Sequence, residues 1–113
     1  MADRGQLKSY AVGILTDVVM GADLVRYVER IDATLEPFNG LFLVHGEQPV
    51  VHEGTPPGTV IVIEFPTESG AVDWYRSTAY QALIPLRAEN SNSTILTVTG
   101  VSPGHCATDV LSP

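Results

Sequence analysis

The sequence predicts an α+β domain, one antiparallel sheet with its helices on one face, and three observations carry that prediction. Residues 59–65 read TVIVIEF, a β-branched run that is apolar on both strand faces except at Glu64, as expected of a strand covered on both sides. Leu24, Val28, Ile31 and Leu35 recur at helical spacing and form one apolar stripe, while Asp23, Arg26, Glu29, Arg30 and Asp32 fall largely on the other side. Residues 93–101 read STILTVTGV, a second β-rich run after a helical stretch.

Taken in order, residues 10–16 (YAVGILT) make the first strand, and Gly21 and Asp23 open the first helix. Pro37 stops that helix because its ring cannot continue the hydrogen-bond ladder. Asn39-Gly40 signals a turn, and residues 41–45 make the second strand, with His45 in phase with Leu41 and Leu43. A turn at residues 46–49 leads to a short third strand at residues 50–53, and the two strands are expected to pair as a hairpin. Residues 55–58 (TPPG) are a rigid connector into the strongest strand, 59–65. On it Val60, Val62 and Glu64 share one face, and Ile61, Ile63 and Phe65 the other. Thr67 is the expected N-cap of a helix running to about Arg76, with Glu68 favourable in its first turn. Ser77 caps a second helix over residues 78–89, kinked or restarted at Pro85, with Tyr80, Leu83, Ile84 and Arg87 on a shared face. The last strand follows. With the short hairpin strand set aside, this order is the ferredoxin-like β-α-β-β-α-β pattern. The sheet face away from the helices would be apolar and bare in a monomer, so a homodimer is expected.

A chain of 113 residues is one domain, placed at residues 8–102, with residues 1–7 and 103–113 expected to be flexible tails. The net charge of −7 argues against nucleic acid, whose phosphates demand a basic face, and against an anionic membrane surface. The single cysteine, Cys106, permits no disulfide within the chain and fits a cytoplasmic setting. The first residues carry no apolar signal-peptide core, and no apolar run is long enough to span a membrane.

Several segments together resemble the bacterial family known as domain of unknown function 1330, within the dimeric α+β barrel superfamily. They are residues 39–46 (NGLFLVHG), Glu53-Gly54, residues 62–66 (VIEFP), Ala71, Trp74-Tyr75, Ser77, Tyr80, Arg87 and residues 98–100 (VTG). The resemblance implies a ferredoxin-like sheet that pairs face to face with a partner, and a small pocket between sheet and helices. Relatives usually carry Gly-Gly where this chain has Asn39-Gly40, and Arg where it has His45. An arginine there suits a carboxylate ligand, whereas histidine suits proton transfer or another ligand. The wider superfamily spans cofactor-free monooxygenases, polyketide cyclases, isomerases and decarboxylases, so fold alone does not settle function.

Glu64, His45 and Tyr80 are the candidate catalytic residues. A carboxylate at the end of a buried strand is costly unless paired, hydrogen-bonded or protonated; it is either a general base or acid, or a brace bound to Arg87 or to helix N–H groups. Histidine titrates near neutrality and can shuttle protons. Tyr80 needs a partner for its hydroxyl if buried, and with Ser77 and Arg87 it can bind a carbonyl or carboxylate. Trp74, Tyr27, Phe38 and His52 complete the expected substrate-binding set. His45, His52, Glu53 and Glu64 lack any recognisable metal-ligand spacing, so no metal is expected. His105 and Cys106 fall in the expected tail and make a weak nucleophile pair. No nucleotide-binding or hydrolase motif occurs, and no cofactor is expected.

The function expected is that of a cofactor-independent enzyme acting by proton transfer on a small hydrophobic, polyketide-like carbonyl compound, as a cyclase, isomerase, dehydratase or lyase. The alternative is a non-catalytic ligand-binding or stress-related dimer in which Glu64 and Arg87 are structural.

Overall fold

In a computed structural model that describes residues 7–111, four strands form one antiparallel sheet in the order β2-β3-β1-β4. The strands are β1 (Ser9–Thr16), β2 (Leu41–Glu47), β3 (Thr59–Phe65) and β4 (Asn92–Thr99). Helix α1 (Ala22–Leu35) links β1 to β2, and three short helices, α2 (Gly70–Arg76), α3 (Thr78–Gln81) and α4 (Ile84–Ala88), link β3 to β4. Sequence-adjacent β1 and β2 are thus separated by β3, and β3 and β4 by β1, which is the ferredoxin-like arrangement. Among the described residues, no helix is long and apolar enough to cross a membrane.

The strand alternation sorts the two sheet faces. Ser9, Ala11, Gly13 and Leu15 of β1 are buried and face the helices, with Ile63 and Phe65 of β3 beside them. Together with Ile31, Leu35, Ala71, Trp74 and Tyr80 from the helices and Leu83 from the turn between α3 and α4, these residues close the core. The opposite face carries Val12, Ile14, Val60, Val62, Leu96 and Val98 in register, and Leu96 and Val98 stay exposed.

Ser9 fastens the sheet to the second helical segment. Its hydroxyl donates to the Thr67 carbonyl at 2.7 Å and accepts from the Ala71 N–H at 2.9 Å. That contact takes over the role expected of a cap at Thr67: α2 begins at Gly70, after Ser69, and Ser69 makes no side-chain cap. Ser77 does cap the next helix, accepting from the Tyr80 N–H, and Pro85 stands in the first turn of α4, where the expected long helix restarts.

The expected strand at residues 50–53 does not form. Pro49 has no N–H to give a ladder, and Gly54 and Gly58 take φ of 94° and 115°, so the segment loops. β2 instead continues to Glu47 and pairs with β3. Leu7, expected in an N-terminal tail, is buried. Residues 103–106 are exposed, residues 107–111 form an exposed 3₁₀ turn (Ala107–Leu111), and tail positions 1–6 and 112–113 lie outside the described residues.

Candidate functional site

β2 does not alternate evenly. Phe42 pairs with Ile63 and Val44 with Val62, so Leu43 is an extra residue; His45 pairs with Ile61 and Glu47 with Val60, so Gly46, at φ 84°, is another. The first bulge turns His45 away from the face of Leu41 and onto the helix side beside Phe42. The two rings stack with centroids 4.3 Å apart. The in-phase placement with Leu41 and Leu43 is thereby corrected, because a bulge shifts alternation by one residue.

On that helix side a cavity of about 40 Å³ lies between sheet and helices, with His45, Tyr27, Trp74, Tyr80 and Arg87 in its wall. At the middle of β1, Gly13 contributes no side chain, and Ile61 and Ile95 flank the gap. His45 and Val28 are the exposed members of the lining and mark its mouth. The volume accommodates a few water-sized groups. It is far below the roughly 300–1,000 Å³ that encloses a drug-sized ligand.

The polar interior is a phenol pair and a buried cation. Tyr27 on α1 and Tyr80 on α3 have their hydroxyl oxygens 2.7 Å apart, with the rings edge to face. Burial pushes the Tyr27 hydroxyl well above the ordinary tyrosine value; Tyr80 adds to the rise, and Arg87 pulls partly against it. Arg87 is only 4% exposed. Its Nη1 donates to the Ser93 hydroxyl, its guanidinium carbon lies 6.0 Å from the Tyr27 ring centre, and its Nε–H has no partner among the described residues. Burial works to lower the Arg87 pKa, but the phenols of Tyr80 and Tyr27 outweigh it, and the guanidinium stays charged.

Trp74 packs its ring 4.0 Å from that of Tyr80 and spends its indole N–H on Thr34, whose hydroxyl donates to the Ile31 carbonyl. It shapes the wall and offers no free donor.

The remaining predicted residues lie elsewhere. Ser77 donates to the Trp74 carbonyl and caps α3. Phe38 packs against the core from the 3₁₀ turn Glu36–Phe38 and is not in the cavity wall. His52 is exposed on the loop after β2. Glu64 sits on the opposite sheet face, where it accepts from the Tyr10 hydroxyl at 3.2 Å and lies 3.4 Å from Lys8 Nζ, in an open groove with Leu41 and Pro66. Strand alternation puts it back to back with the cavity, so Glu64 converges with neither His45 nor Tyr80, and Arg87 is not its partner. Among the described residues, no three His, Cys, Asp or Glu side chains gather as metal ligands. His105 pairs with Asp109 at 3.6 Å, and Cys106 is exposed.

Gly13 and Ser93 belong to the site without having been singled out. A glycine inside a strand pattern is the one sequence signal that bears on the gap.

The profile of a family described as a domain of unknown function, DUF1330, matches residues 8–101. No functionally curated protein matches the sequence. Among solved structures, the methylated form of a protein of unknown function from Rhodopseudomonas palustris superposes with a TM-score of 0.62 at 14% identity, over 88% of this chain and 85% of that one. A dimeric ferredoxin-like protein of unknown function from Jannaschia sp. CCS1 gives 0.58 at 10% identity, over 80% and 97%. A dimeric ferredoxin-like protein from Thermobifida fusca gives 0.54 at 10% identity, over 84% and 92%. At such identities the likeness is one of fold.

Proposed function

The chain belongs to the DUF1330 family, and from that premise and the geometry of its cavity we propose that it is a cofactor-independent enzyme that moves a proton on a small carbonyl compound. The observation that carries this reading is the convergence of His45, at the mouth, with the Tyr27–Tyr80 hydroxyl pair and Arg87 in an otherwise apolar wall. In the proposed step the His45 imidazole takes a proton from the carbon beside the carbonyl. The C–H electrons form a C=C bond, and the carbonyl π electrons move onto oxygen. A phenol O–H then stabilises the enolate oxygen. In a compound whose enolate is conjugated with a further C=C bond, return of the proton to the far carbon completes an isomerisation; return of a solvent proton to the same carbon gives exchange. The volume favours a compact compound over a fused-ring polyketide.

The working unit in this reading is residues 8–102 as a homodimer. The apolar sheet face of Val12, Ile14, Val60, Val62, Leu96 and Val98 supports it, as do the dimeric proteins from Jannaschia and Thermobifida that share the fold.

Proton NMR in deuterium oxide tests the chemistry on acetone, acetylacetone and pyruvate. The protein is expected to accelerate deuterium incorporation beside the carbonyl of at least one compound. No acceleration across the panel would overturn the reading.

A further inference from the structure

The polar end of the cavity holds more donors than acceptors. In the Tyr27–Tyr80 pair one hydroxyl donates to the other, which leaves the second O–H with a proton to give. Arg87 offers only donors: Nη1 is used on Ser93, the guanidinium also interacts with the Tyr80 and Tyr27 phenols, and Nε–H is unpaired. Arg87 is buried at 4% exposure and still charged, yet the ion pairs among the described residues, Lys8–Glu64, Arg26–Asp23 and His105–Asp109, do not include it. A buried cation without a counter-charge is expensive, and a leftover phenol O–H beside it adds to the surplus. The chemical complement is a compact group rich in acceptors and carrying a negative charge.

We propose that the Arg87 end of this cavity is a carboxylate subsite, and that the ligand is a short-chain monocarboxylate whose anion lies against Arg87, with the remaining phenol O–H left for the carbonyl oxygen. The guanidinium fork matches carboxylate geometry. Depth sets the size: about 40 Å³ takes a carboxylate and little more, so the rest of the ligand extends past Gly13 and Ile61 toward His45 at the mouth. Resting on the proton-transfer reading, this specifies the substrate as a short oxo acid, its carboxylate inside and its acidic carbon near the imidazole.

The test is a thermal-shift and calorimetric titration of the full chain with propionate and pyruvate, against the neutral matches propionamide and acetone. Propionate and pyruvate are expected to raise the melting temperature saturably and the neutral compounds to leave it unchanged. Arg87→Met is expected to abolish the shift. If that variant does not fold, Gly13→Val, whose Cβ would meet Ile95 Cδ1 at 3.3 Å and crowd the cavity while Arg87 is kept, is expected to abolish it as well. His45→Ala is expected to retain the shift, because His45 stands outside the anion subsite. Equal responses to acid and amide, or none to either acid, would overturn the subsite. So would a carboxylate response that survives both Arg87→Met and Gly13→Val. Carbon-bound deuterium exchange that depends on His45 but shows no preference for acids would overturn the subsite and leave the proton-transfer reading standing. A carboxylate response that depends on Arg87, without any exchange, would support the subsite and remove the catalytic reading.

Discussion

The hydroxyl oxygens of Tyr27 and Tyr80 lie 2.7 Å apart and join α1 to α3 across the cavity. Each phenol depends on the other, so their energies are coupled. Tyr80→Phe leaves the Tyr27 hydroxyl without its partner, and the expected cost is about 1–3 kcal/mol. The double variant Tyr27→Phe/Tyr80→Phe is expected to cost less than the sum of the two single changes, with a coupling of roughly 1 kcal/mol. Urea unfolding of the four proteins measures it, and additive single costs would contradict the pairing.

The same pair predicts a loss of stability in alkali. Burial and Tyr80 hold the Tyr27 hydroxyl protonated in the fold well above its ordinary value of 10.0. The unfolded chain releases that proton from about pH 10 upward, so over this range the unfolded state binds fewer protons than the native one. The contribution of Tyr27 is therefore complete below pH 10 and declines above it, by about 1.4 kcal/mol for each further pH unit. When unfolding free energies are compared between about pH 9 and about pH 11.5, Tyr27→Phe is expected to show a shallower decline than the wild type.

Gly40 sits at a point of close approach. A Cβ there would meet Leu35 Cδ2 and Phe65 Cε2, each at 2.8 Å. Both side chains are buried in the core, Phe65 completely, and cannot swing aside. Gly40→Ala is expected to destabilise the fold by about 1–3 kcal/mol through overpacking. Asn39, at φ 55°, already holds the left-handed turn conformation, so Asn39→Gly is expected to change stability little. Thermal unfolding of the two variants separates them.

Much of the fold is legible in the sequence because its strongest elements follow simple periodicities. The strand Thr59–Phe65 has the bounds its β-branched run indicates, and the stripe of Leu24, Ile31 and Leu35 is the buried face of α1. Val28, counted in that stripe, is exposed at the cavity mouth instead. The site is less legible for two physical reasons. Period-two alternation assumes an unbroken ladder, and the bulge at Leu43 leaves no clear trace in composition, so His45 falls on the unexpected face. Alternation also groups Glu64 with Val60 and Val62, but it does not say which face the helices cover, and they cover the other one. Tyr80 and Arg87 were visible as a helical face, whereas their link to Tyr27 required two helices to meet in space.

The proposed dimer places Val62 at a buried interface. A carboxylate there would be desolvated without a partner. Val62→Glu is expected to give a monomer of 12.1 kDa by sedimentation where the wild type gives twice that mass. A wild-type chain that sediments as a monomer at micromolar concentration would contradict the dimer.

Proton transfer is proposed to occur in the cavity at His45 and not on the Glu64 face. The most direct measurement is the rate of deuterium incorporation beside the carbonyl of pyruvate, compared among wild type, His45→Ala and Glu64→Gln. His45→Ala is expected to lower the protein-dependent rate by about 10²–10⁴-fold, while Glu64→Gln leaves it within twofold, about the scatter of such a comparison. Loss of exchange in Glu64→Gln with full exchange in His45→Ala would contradict the account and move the chemistry to the opposite face of the sheet.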